Sequence, residues 1–188
     1  MVVLGFPRRT GSKDSEAFEP TSWLSGPKGA VMDPCLQLEY FRKEHQNIHQ
    51  FLERWERALN LLASKGDAKR MKGLSELRNM ESDLLAIRND CYLEEHNVAT
   101  PYRAYLQKAQ LEKLRSEHEE LGRLVQDLHS ELRFATLDST KGISELGRQL
   151  AEFVRQHTLF EGKLLAEIEQ GLARKAGKKC RTVPRSQS

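Results

Sequence analysis

Apolar residues recur along this chain at alternating intervals of three and four, and that rhythm limits what the chain can fold into. The run Leu38, Phe41, His45, Ile48, Leu52, Trp55, Leu59, Leu62 keeps it without a slip. Side chains at this spacing share one face of an α-helix. A third stripe runs Leu111, Leu114, His118, Leu121, Val125, Leu128, Leu132, and a fourth runs Ile143, Leu146, Leu150, Phe153, His157, Leu164, Ile168. The second is looser: Leu77, Leu84, Ile87, Cys91, Glu95, Val98. Four amphipathic segments on short connections bury their stripes against one another. The expectation is an all-α chain, an up-down-up-down antiparallel four-helix bundle.

The spacing predicts helices over about 36–63, 70–98, 108–135 and 141–174. Asp33-Pro34 is the entry signal of the first, and Ser64-Lys65-Gly66-Asp67 turns the chain into the second. Thr100-Pro101 bends or ends the second helix, because proline lacks a backbone donor and clashes with the preceding turn. Ser139-Thr140-Lys141-Gly142 separates the last two. Residues 1–34 carry scattered Gly and Pro without periodicity and read as a flexible leader. Residues 35–174 make the bundle, and the basic, polar 175–188 reads as a disordered tail.

Composition removes several function classes. A net charge of +3 over 188 residues is too small to argue for nucleic acid, and the basic residues alternate with acids as on a solvated face. No apolar run reaches membrane-spanning length, and the apolar start at 1–6 is too short for a signal segment. The expected location is therefore cytoplasmic, without a membrane partner. Cys35, Cys91 and Cys180 are odd in number and far apart, which suggests neither a disulfide framework nor a paired-cysteine zinc site. Gly-rich phosphate loops, nucleophile elbows and kinase signatures are absent. Four short-linked helices satisfy each other, so a monomer is the simplest state.

The polar residues inside the stripes carry the functional signal. One histidine in an apolar stripe is ordinarily a satisfied core residue. Here every stripe has an interruption: His45, the Cys91–Glu95 turn, His118, and the His157–Glu161 turn. Counted along antiparallel helices from the connecting turns, their heights agree to within about one helical turn. Residues four apart stack on one face, so His157 and Glu161 reach one cation or two adjacent ones. Bare carboxylates in a bundle core would cost several kcal/mol, roughly, without a cation. Mixed nitrogen and oxygen donors with open positions suit iron or manganese.

This pattern resembles the hemerythrin-like (HHE cation-binding) domain. That family is a four-helix bundle around a non-haem di-iron site, with one His on helix one, His-x-x-x-Glu on helix two, one His on helix three and His-x-x-x-Glu on helix four. "FRKEHQNIHQFL" holds His45, "CYLEEHNVATPY" holds Glu95 and the following Pro101, "LRSEHEELGRLV" holds His118, and "FVRQHTLFEGKLL" holds His157 and Glu161. The resemblance covers 36–172. It implies that the histidines are terminal ligands and that Glu95 and Glu161 bridge two irons. One position departs: Cys91 stands where the family has the second-helix histidine. Three readings follow: a thiolate ligand, replacement by His49 one turn beyond His45, or a site reduced to one metal or none.

The resemblance implies a protein that binds or senses oxygen, another small diatomic ligand, or iron itself. An enzyme handling peroxide or nitric oxide is one alternative, although nothing in the sequence names a substrate. A structural or regulatory bundle with a degenerate site is the other.

Overall fold

The computed structural model describes residues 34–94 and 102–176, with side chains over 36–89 and 102–175. The described chain is all-helical: α1 Pro34–Leu62, α2 Asp67–Asn79, α3 Glu81–Glu94, a single 3-10 turn Arg103–Tyr105, α4 Lys108–Arg133 and α5 Thr140–Ala176. No strand occurs among the described residues, and none of their helices is long and apolar enough to cross a membrane.

Local chemistry explains most boundaries. Proline tolerates the first position of α1, where its missing N–H has no helical partner to lose. Gly66 starts α2 with φ +101, a left-handed conformation that glycine adopts without a Cβ penalty. At the start of α4 the Gln107 N–H donates to Gln110 Oε1 at 2.7 Å, one half of a reciprocal capping box.

The segment expected as one helix from about 70 instead starts at Asp67 and breaks at Met80. Met80 has φ −90 and ψ 0, and its N–H is shared between Glu76 O at 3.1 Å and Leu77 O at 3.2 Å. That tightening is typical of a helix end. Asn79, Ser82 and Asp83 favour such a break because their side chains compete with the backbone ladder. The new helix start is held by an ion pair of Asp83 with Arg54 at 2.7 Å and by a contact of Glu81 with His129 Nδ1. The break leaves Met80 buried between Leu77 and Leu84, which fills the gap in the second stripe.

The helices pack as neighbours: α1 on α2 and α5, α3 on α4, α4 on α5. Contacts descend one helix as they climb its neighbour. Arg42 pairs with Glu169 and Glu56 with Arg155 between α1 and α5. Gln110 meets Glu167 and Glu117 meets His157 between α4 and α5.

Among the described residues the core has three apolar parts. The largest surrounds Trp55 and runs from Ile48 on α1 through Leu121–Leu132 on α4 to Val154 on α5. A second joins Leu38, Phe41, Tyr102, Leu165 and Ile168, and a third joins Leu114 and Leu164. His45 lies between Phe41 and Ile48, His118 between Leu114 and Leu121, and His157 and Glu161 between Val154 and Leu164. One polar layer therefore separates the main core from the two smaller clusters.

Candidate metal centre

Each group in this layer arrives because it occupies a stripe position of its helix. His118 and His157 are 1% and 2% exposed, and Glu161 is 6% exposed. Glu161 is the hub. Its Oε2 lies 3.1 Å from His45 Nε2 on α1, while its Oε1 lies 3.3 Å from His118 Nε2 on α4 and 3.1 Å from His157 Nε2 on its own helix. Donor atoms of His118, His157 and Glu161 fall within 4.8 Å of one another. Atoms bound about 2.1 Å from a common ion stand about 3.0–3.4 Å apart, depending on coordination geometry. The separations around Glu161 Oε1 fit that range.

The imidazole rings are set for convergence. His118 and His157 meet edge to face, with centroids 4.9 Å apart at 74°. On the far side of its ring, His157 Nδ1 lies 2.8 Å from Glu117 Oε2. An ionised carboxylate only accepts, so Nδ1 carries the proton of that bond. Nε2 is then the basic nitrogen, and it lies 3.1 Å from Glu161 Oε1. A lone pair facing a carboxylate oxygen needs a positive charge between them, either a proton or a metal ion.

The electrostatics agree. Burial opposes a charged His157, but the carboxylates of Glu161 and Glu117 outweigh it and raise its pKa above the ordinary 6.5. Burial likewise opposes an ionised Glu161, yet His118, His157 and His45 hold it well below the usual carboxylate range. Three imidazoles and one carboxylate form a nitrogen-and-oxygen donor set of the kind that binds divalent transition ions.

The other candidate residues fall elsewhere. His49 is exposed on α1. Cys91 lies on α3 with its side chain outside the described residues, and Glu95 lies outside them altogether. Two acids beside stripe histidines were not among the sequence candidates. One is Glu117. The other is Glu44, 7% exposed, whose carboxyl is pushed up by burial against the pull of Lys43, Asn47 and His45. Both immediately precede a stripe histidine, in Glu44-His45 and Glu117-His118. One residue step turns a side chain about 100° around the helix, so these acids lie off the stripe and leave no mark on it. The repeated Glu-His pair was the available signal.

No family model, curated protein or solved structure matches the chain.

Proposed function

We propose that this chain is a hemerythrin-like metal-binding protein. In this reading α1, α2 with α3, α4 and α5 are the four arms of an up-down-up-down bundle, and its polar layer holds a non-haem iron site. The observation that carries the reading is the convergence of His118 Nε2, His157 Nε2 and Glu161 Oε1, with His157 Nδ1 already engaged by Glu117. Glu161 presents its second oxygen to His45, as a carboxylate bridging two ions would. Iron held there would supply open coordination positions for oxygen or another small diatomic ligand. The role is binding or sensing inside the cell, without a substrate of its own.

A second reading is favoured by the same contacts. Protonated histidines would satisfy Glu161 without any metal, leaving a structural bundle with an imidazolium–carboxylate core. Elemental analysis with an absorption spectrum, on protein produced with iron and handled without oxygen, separates the two. About two irons per chain, with oxo-bridged ferric bands after air exposure, are expected for a complete di-iron site. One iron per chain indicates a mononuclear site. Protein that holds no stoichiometric metal when iron is plentiful sinks the metal reading.

A further inference from the structure

We propose that Glu117 is the positioning residue of the buried cluster: its carboxylate holds His157 in the tautomer whose Nε2 lone pair faces Glu161 and His118. The cause rests on the Glu117–His157 contact alone, and the consequence for cation binding rests on the metal reading above.

Neutral imidazole carries its proton on either nitrogen, and only the bare nitrogen ligates a cation. In His157 the nitrogen facing the cluster is Nε2. A proton there would block the site and force the ring to flip. Glu117 removes that option by placing an obligatory acceptor 2.8 Å from Nδ1.

Glu117 is itself held from the other side. Its Oε1 lies 3.5 Å from Lys113 Nζ one turn earlier on α4, and that ammonium sits 4.2 Å from the centre of the Phe160 ring on α5. The two carboxylate oxygens are thus divided, Oε1 toward the half-exposed lysine and Oε2 toward the buried imidazole. The Phe153 ring lies nearly parallel to His157, at 16° with centroids 6.3 Å apart. Glu117 keeps partial access to solvent, with 21% of its side chain exposed. Glu117→Gln keeps the size of the side chain, so the effect of removing the charge is read at His157.

A carboxylate on the outer nitrogen also makes the inner nitrogen a stronger donor. Loss of such a partner ordinarily weakens metal affinity about 10- to 100-fold. The test has two arms on the full chain. Nitrogen-15 NMR of the metal-free protein, at a pH where His157 is neutral, reports the tautomer. The Nδ1–H form is expected in the native chain, with a shift toward Nε2–H in Glu117→Ala, which leaves Nδ1 without the Glu117 acceptor. Co2+ titration, read by its visible absorption, is expected to show about 10- to 100-fold weaker binding in Glu117→Gln and Glu117→Ala.

An Nε2–H tautomer in the native chain overturns the proposal, as does Glu117→Ala retaining Nδ1–H. Native cobalt affinity in both variants overturns its consequence for the site. If the native chain takes up no cobalt while its tautomer is Nδ1–H, the metal reading falls and the orienting role of Glu117 stands.

Discussion

Gly73 on α2 lies directly against Ala58 on α1: a Cβ added to the glycine would stand 2.7 Å from the Ala58 carbonyl oxygen and 2.5 Å from the Leu62 nitrogen. These are backbone atoms, so neither yields by rotating a side chain. Ala58 and Leu62 are among the most buried residues of α1, and the close approach lets Leu74 and Leu77 reach the Trp55 core. In an open helix, alanine for glycine would add about 1 kcal/mol of stability. Here Gly73→Ala is expected to destabilise the protein by about 1–3 kcal/mol, the usual cost of overpacking. Urea unfolding followed by circular dichroism measures it, and a stabilised variant would show that α1 and α2 do not approach this closely.

Arg78 ties the second arm to the end of α4. Its Nε lies 3.2 Å from Leu132 O and its NH2 group 3.0 Å from Ala135 O. The last carbonyls of a helix have no partner within it, and a cation there also opposes the negative end of the helix dipole. Arg78→Ala is expected to cost about 1 kcal/mol, since the guanidinium is exposed and part of the interaction is screened. Hydrogen exchange is expected to rise locally over 130–137, well before global unfolding. Uniform exchange across α4 would contradict the anchoring role.

The metal-free protein has a defined pH dependence. His157 titrates above its ordinary 6.5, so its contribution is fully present below that value and is lost as pH rises through the folded pKa. Glu161 titrates well below its ordinary 4.5, so its contribution is present above that value and is lost as pH falls through the folded pKa. These two groups together favour a maximum between 4.5 and 6.5, with stability declining on the alkaline side. Glu161→Gln removes the anion that charges His157 and is expected to flatten the decline. Thermal melts of the metal-free protein across pH check both. A divalent cation reverses the alkaline slope, because its ligands must be deprotonated.

How much of this was legible in the sequence depends on whether a residue's partner lies on its own stripe. His45, His118, His157 and Glu161 interrupt regular three-and-four patterns, so their helices, faces and common height follow from spacing alone, and the structure brings the three histidines to the Glu161 carboxylate. Glu117 and Glu44 lie one position off the stripe, where helical spacing predicts solvent and only the neighbouring helix decides otherwise. The break at Met80 is of the same kind. Periodicity predicted a continuous helix, whereas Asn79, Asp83 and the contacts to Arg54 and His129 end one helix and start the next. The need for glycine at 73 depends on a backbone-to-backbone distance that no single sequence displays.

His118 gives the sharpest division between a metal centre and a purely structural cluster. It is 1% exposed, and its Nε2 faces Glu161 Oε1 at 3.3 Å. In either case His118→Ala removes a buried ring and one partner of a buried carboxylate, so the metal-free variant is expected to lose about 2–4 kcal/mol. The separate question is what a cation adds. A ligand at 100 times its Kd stabilises the folded state by about 2.7 kcal/mol, which raises Tm by roughly 5–11 °C in a chain of this size. The native chain is therefore expected to melt higher with saturating Co2+ than with chelator, and His118→Ala to show little or no such increment. Calorimetry of both proteins, with Co2+ and with chelator, measures all four states. An equal cobalt increment in the variant would remove His118 from the ligand set, and no increment in either protein would leave the layer as an imidazolium–carboxylate core.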